Sequence, residues 1–439
     1  MADKRKMHVI SGGLSKKKDE PSLFDEDKEE GTAADAAEVL DLGDEFEGDE
    51  DAPLGLDDYD ASDLRWSWVE IDTKAIEHNV REFKKRIGAR VRMMAVVKAD
   101  AYGHGAIEVA RVALANGASW LGVATVREGV ELRQAGIEEP ILILSEPPIG
   151  SIGLIVENRL VPAVHSLEFA LELGEAAAAR GTVADYHLCV NTGMNRVGVW
   201  FADVAEFVNL INFHVGLNLS GTFTHFATSD EANDYTFRLQ LRRFNEAVEK
   251  IRYTGVRPGL VHCANTAATI RYPESYFDMV RVGIGIYGLH PSPVTRRMIE
   301  LWPAMSVHAR LTAVKDVPVG EGVSYGLTYR SPGNVKICTV PIGYADGLSR
   351  TLSNNMQVIY KSKLYPQVGN ICMDQFMFEV DRRSTLLNPA ANPEVGDRIM
   401  IIGRSGDALL SLDEMADKLG TINYELACRF GLRMQRVYI

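Results

Sequence analysis

The chain has 439 residues, too long for one average domain and comfortable for two, with 46% hydrophobic and 24% charged residues. Its formal charge of -13 sits wholly in the first 65 residues, where 21 acidic residues face 8 basic ones; the remainder is balanced at 39 of each. That balance offers no electrostatic footprint for nucleic acid or an anionic membrane, and no run approaches the roughly 18 apolar residues of a membrane span.

The first residues, MADKRKMHVISGG, lack the apolar stretch of a signal peptide. The cysteines, Cys189, Cys263, Cys338, Cys372 and Cys428, are scattered and make no CxxC or Cys/His metal spacing. A reduced, cytoplasmic protein without a metal site is expected.

Residues 1–65 are rich in Asp, Glu, Gly, Ala and Ser and poor in aromatics, which predicts a disordered acidic leader. Order is expected from Trp66. WSWVEID alternates like a strand, and Thr73 is expected to cap the helical pattern KAIEHNVREFKKRI. Eight short apolar runs follow: VRMMAVVK, WLGVA, PILIL, RLVPAV, ADYHLCV, LSGTFTHF, GLVHCAN and DMVRVGIG. Helical stretches such as AIEVARVALANG, SLEFALELGEAAAARG and YTFRLQLRRFNEAVEKIRYTG lie between them. Parallel strands with crossover helices fit this rhythm, and eight units in about 230 residues predict a closed (β/α)8 TIM barrel over residues 66–300, leading strand included. A doubly wound open sheet is the competing reading. Residues 301–439, with MSVHARLTAVKDV, NVKICTVPIG, MQVIYKSKLYPQVG and DRIMIIG set between turns, predict a mostly antiparallel β domain closing on a short helix at LDEMADKLG.

The strongest local signal is AVVKADAYGHG, residues 95–105. An apolar strand ends in Lys98 where a barrel opens at its C-terminal mouth. Apolar surroundings destabilise an ammonium, so such a lysine suits Schiff-base chemistry. A lysine snorkelling from a strand end is the alternative.

The motif resembles the pyridoxal-phosphate (PLP) lysine motif of the alanine racemase family. NTGMNRVG, THFATSDE, HCANTAAT, MVRVGIGIYG, VSYGLTY, PIGYADG, NICMDQ and TINYE resemble further family segments in family order, over residues 66–439. The resemblance implies an isomerase with a PLP-binding barrel and homodimers that share their active sites. Lys98 then matches the lysine that carries PLP as an internal aldimine and serves as base for the D-enantiomer. Tyr325 matches the opposing base, and two bases are what racemisation at a flat carbanion needs. His225 matches a ring-flanking histidine and Arg281 the arginine facing the pyridine nitrogen. Tyr102, Asn265, Thr266, Gly283, Ile284 and Tyr424 match the remaining cofactor set. Arg196 and Met373 match substrate-carboxylate contacts, while Tyr344 lines the way in. Cys372 and Asp374 flank that site.

An arginine cannot accept a proton, so the ring nitrogen is expected to stay neutral. One departure stands out. Where many family members carry a carbamylated lysine that holds the loop arginine, this chain has Cys189, so Arg196 must be oriented by Asn191, a water or a bound anion. The implied function is interconversion of L- and D-alanine, supplying D-alanine for peptidoglycan. The alternatives are a serine or broad-specificity racemase of the same fold, a non-catalytic PLP-carrying barrel and a PLP decarboxylase. The β domain with Tyr325 speaks against the non-catalytic barrel, and Arg281 against the decarboxylase.

Overall fold

The structure, a computed structural model, describes residues 65–439 apart from Asn388 and Leu432. The acidic leader expected from the sequence lies outside the described residues except for Arg65, whose guanidinium meets Asp346 at 2.8 Å.

The first strand, β1 (Ser67–Ile71), precedes a barrel built from β2 (Arg92–Val96), β3 (Trp120–Val123), β4 (Ile141–Ile143), β5 (Val161–Val164), β6 (Ala184–Asn191), β8 (Leu217–Phe223), β9 (Leu260–His262) and β10 (Met279–Val282). A short β7 (Val199–Trp200) pairs beside β6. The eight barrel strands run parallel in the order β10-β2-β3-β4-β5-β6-β8-β9. Backbone bonds from Asp278 to Val261 (3.0 Å) and from Arg281 to Ala264 (2.9 Å) join the two ends, so the sheet closes and the open-sheet alternative falls.

The strands are apolar because both faces are covered. Met93, Ala95 and Leu121 pack outward against the helices. Met94, Trp120, Leu142, Val161 and Met279 fill the lumen as one layer. Side chains alternate along a strand, so two residues beyond Met94 and Met279 stand Val96 and Arg281, and two beyond Val96 stands Lys98. The helices bury stripes at helical spacing. The longest, Tyr235–Tyr253, buries Phe237, Gln240, Phe244, Ala247, Val248 and Ile251.

The β domain is a ten-stranded sheet in which β1 is an interior member. It pairs antiparallel with Met305–Arg310 and parallel with Gln435–Tyr438. The leading strand therefore belongs to the second domain's sheet, and its buried Val69 and Ile71 join that domain's core with Val307 and Ala309. The expected closing helix spans Leu412–Leu419. Among the described residues no helix is long and apolar enough to cross a membrane.

The helix after β1 corrects one expectation. Its cap is Asp72, whose carboxylate accepts the N–H groups of Lys74 (2.9 Å) and Ala75 (3.0 Å). Thr73 is the first helical residue, and its hydroxyl donates to Ile439 O at 2.7 Å. Asp72→Ala is expected to lower stability by about 1 kcal/mol in equilibrium unfolding, while Asp72→Asn, which keeps an acceptor, costs a few tenths.

Candidate active site

At the C-terminal mouth of the barrel lies a cavity of about 520 Å³. Its walls include Lys98, Tyr102, Arg196, His225, Asn265, Thr266, Arg281, Gly283, Ile284 and Tyr424, so ten residues singled out in the sequence meet in one place.

Lys98 follows β2 and opens a turn of unusual hand. Ala99, Asp100, Ala101 and Tyr102 all have φ between 51° and 54°, four consecutive left-handed residues and none of them glycine. Each costs roughly 1–2 kcal/mol, so the surroundings must hold the turn. Asp100 accepts Ala106 N–H at 2.8 Å, and Arg436 donates to Gly103 O at 3.2 Å. Gly103 itself sits at φ +80°, and a Cβ there would lie 2.3 Å from Ala427 O. The turn sends both Lys98 and Tyr102 into the cavity wall. Burial lowers the pKa of Lys98, and the nearby positive charge of Arg196 lowers it further, so its amine is freed more easily.

Arg281 lies in the lumen, 3% exposed. It donates to the Nδ1 atoms of His262 (3.0 Å) and His225 (3.1 Å) and to Thr224 O (2.8 Å). A guanidinium only donates, so both histidines accept at Nδ1 and carry their proton on Nε2. His262 then donates from Nε2 to Nδ1 of His187 at 3.0 Å. The chain stops at Nε2 of His187, which has no partner among the described residues. Gly221 makes room for that ring, since a Cβ there would lie 2.5 Å from Nε2. Burial holds His187 down to about 3 and His262 and His225 well below the usual range, with Arg281 adding to the effect. Arg281 is itself lowered by burial to about 10 and stays charged at neutral pH.

The far wall suits an anion. Burial raises the phenols of Tyr102 and Tyr424, which keeps both as hydroxyl donors. Thr266 accepts Gly283 N–H at 3.0 Å, leaving its own proton free to donate. A Cβ on Gly283 would lie 2.8 Å from the Tyr102 hydroxyl, so glycine keeps this corner open. A phosphate-bearing pyridine fits this donor set, with a lysine on one side and an arginine at the lumen end. Asn265 borders the same corner, but its Oδ1 already accepts Ala268 N–H (3.0 Å) and the Ser229 hydroxyl (2.9 Å).

Cys189 packs against Ala163 and Phe223, and burial pushes its thiol up to about 12. It therefore brings no charge to Arg196. The Asn191 side chain shapes the Arg196 loop, its Oδ1 accepting the backbone N–H groups of Gly193 (3.0 Å) and Asn195 (3.1 Å).

Tyr325, Tyr344 and Met373 do not reach this cavity within one chain. They stand exposed on the β domain, at 75%, 43% and 53%. They are nevertheless tied together. Asn370 donates to Tyr325 O at 2.7 Å, and Tyr344 N–H donates to Cys372 O at 3.0 Å. Ala345 N–H donates to Met373 O at 3.0 Å. Ser324 at φ 65° and Leu327 at φ 48° bracket a loop that pushes Tyr325 outward.

Sequence reading missed His187, His262 and Glu128. The two histidines look like any strand residues until strand pairing brings them together. Glu128 carried a signal, the capping-box pattern TVRE.

A closed barrel with this lysine and cradle, joined to a β domain, places the chain among the PLP-dependent isomerases. Models of the alanine racemase N-terminal and C-terminal domains match residues 71–291 and 304–438, and the chain belongs to the alanine racemase family. It is 42% identical over 372 residues to an alanine racemase of Desulfovibrio desulfuricans, covering 85% of this chain and 98% of that one. It resembles the crystal structure of alanine racemase from Bacillus anthracis with bound L-Ala-P at 38% identity and a TM-score of 0.80, over 85% of this chain and 95% of that one. A histidine racemase from Leuconostoc mesenteroides shares the fold at 30% identity and a TM-score of 0.78, over 85% and 98%.

The buried histidines generate a pH dependence. Burial holds His104 down to about 4 and His187 to about 3, and it holds His225 and His262 well below the usual range. Unfolding exposes all four, which then take up protons near pH 6.5. Their contribution to stability is therefore complete above that pH and lost as pH falls below it. Between pH 6 and 5, unfolding should take up these four protons and a fifth at His308, which burial also holds down to about 4, a slope of about 5–7 kcal/mol per pH unit. Denaturant titrations across that range check this, and a slope below half that value would mean that the histidines titrate in the fold.

Proposed function

We propose that the protein interconverts L- and D-alanine with PLP held on Lys98, in two-fold dimers whose sites each combine one chain's barrel with the other's β domain. The observation that carries this reading is the division of the site. Ten of the implied residues line one cavity, while Tyr325, Tyr344 and Met373 stand together in the open on another domain. A head-to-tail dimer brings the two halves together twice over.

When bound, PLP supplies the electron sink that makes loss of the α-proton feasible. The protein's groups do the rest. Thr266, Tyr102, Tyr424 and the backbone N–H of Ile284 would hold the phosphate, with Gly283, whose N–H is bonded to Thr266, lining the same corner. Arg281, a pure donor, would face the ring nitrogen and leave it unprotonated, and His225, its Nδ1 engaged by Arg281, would flank the ring. Arg196 and the backbone of Met373 take the substrate carboxylate. Lys98 Nζ takes or returns the proton on one face and the Tyr325 hydroxyl on the other. Docking of the partner's β domain covers the mouth and keeps bulk water from the reacting carbon.

The product suits D-alanine supply for peptidoglycan in the cytoplasm. A broader substrate range is the second reading, because the histidine racemase shares this fold. Tyr344 and Tyr424 narrow the pocket and favour alanine, and rates on a panel of L-amino acids separate the two readings.

Complementation tests the shared site. Lys98→Ala and Tyr325→Phe homodimers should each be nearly inactive. After subunit exchange in equal amounts, half of the dimers are mixed, each with one intact site, so activity should return to about a quarter of wild type. No recovery, with exchange confirmed by mass, would place both bases in one chain.

A further inference from the structure

The carboxylate of Glu128 ties two segments of the barrel mouth together. One oxygen accepts Ala99 N–H at 2.7 Å. The other accepts Ala124 N–H at 2.7 Å and Thr125 N–H at 3.0 Å. Ala99 directly follows Lys98 and is the first of the four left-handed residues. Ala124 and Thr125 leave β3, the barrel strand beside β2.

Helix capping accounts for only part of this. A capping box needs the glutamate to reach back to the N-cap backbone, here Thr125. The bonds to Ala99 and Ala124 are additional, and the bond to Ala99 crosses to another element. The far end of the turn has its own fasteners in Asp100, Gly103 and Arg436. The near end, where the lysine is attached, is fastened by Glu128.

We propose that Glu128 is a positioning residue, a latch that holds the left-handed turn at Ala99 so that Lys98 and Tyr102 stay aimed at the cofactor. Without it, Ala99 loses its acceptor, and the lysine side of the turn keeps only backbone bonds, Val97 N–H to Gly122 O and Ala101 N–H to Val97 O, both at 2.8 Å. The catalytic meaning of the latch rests on Lys98 being the PLP lysine. Tyr102 ties the two ends of the cofactor to the same turn, since it stands at the phosphate corner beside Gly283. One loosened bond at Ala99 therefore reaches both attachment points.

Two substitutions separate geometry from charge. Glu128→Gln keeps the length but loses the charge and one acceptor oxygen. Glu128→Asp keeps the charge but draws the carboxylate back from Ala99. Both variants should show amide hydrogen exchange in the peptide covering residues 97–105 at least about tenfold faster, and PLP affinity about tenfold to a hundredfold weaker. Thr125→Val, which removes the hydroxyl cap alone, should leave both readouts near wild type. Unchanged exchange and affinity in the Gln and Asp variants would overturn the latch. So would full rescue by Asp, which would reduce Glu128 to a counter-charge. Borohydride trapping of PLP in the unmodified protein gives the independent check. A reduced adduct on Lys98 upholds the site, whereas an adduct on another lysine overturns the assignment of Lys98 whatever Glu128 does.

Discussion

A buried guanidinium in the barrel lumen, with no carboxylate partner among the described residues, is the constraint from which much of this structure follows. Desolvating a charge is costly unless every donor finds an acceptor. Around Arg281 the acceptors are all neutral: the carbonyls of Thr224, His262 and Cys263 and the Nδ1 atoms of two histidines. A histidine that carried a proton would turn an acceptor into a repelling donor. The arginine thereby dictates the charge and tautomer of His225 and His262, and His262 passes the order on to His187. The lumen is an ordered line of dipoles, in which His262 and His187 turn their Nδ1 lone pairs toward the arginine side and their N–H groups away from the cavity.

That arrangement constrains the strands as much as the side chains. Arg281 reaches His262 and Thr224 because β10, β9 and β8 bring their C-terminal ends to one level in a closed barrel. His187 fits because Gly221 on the neighbouring strand has no side chain. Beneath this polar layer the apolar one formed by Met94, Trp120, Leu142, Val161 and Met279 excludes water, which strengthens each bond above it.

Much of the architecture could be read from the chain because barrel strands, buried on both faces, stand out as short apolar runs. All eight runs became barrel strands. Side-chain chemistry tied to a motif was equally visible, as with Lys98 and Arg281. What escaped depends on contacts between distant positions. Nothing in WSWVEID announces that its partners are residues 305–310 and 435–438. Asp72 displaced Thr73 as cap because the choice turns on a single residue of reach. The turn ADAY contains no glycine, so nothing in it signalled a left-handed path. The pattern TVRE pointed to Glu128, but its bond to Ala99, 29 residues earlier, lies outside any local window. That Tyr325 faces outward, away from the cavity lined by Lys98, shows only in three dimensions.

The position of β1 has a consequence for how the molecule is made. Thr73 and Ile439, 366 residues apart, are joined by a hydrogen bond, and β1 lies between an antiparallel partner and a parallel one from the far end of the chain. On the ribosome, which releases the chain from its N-terminus, β1 emerges early and stays an open edge while the barrel is completed. Its last neighbour appears only after the barrel and most of the β sheet have been translated. An open edge held that long is a template for pairing with other chains. The charged residue that alternates with its buried ones, Glu70, suits a strand that must wait without aggregating.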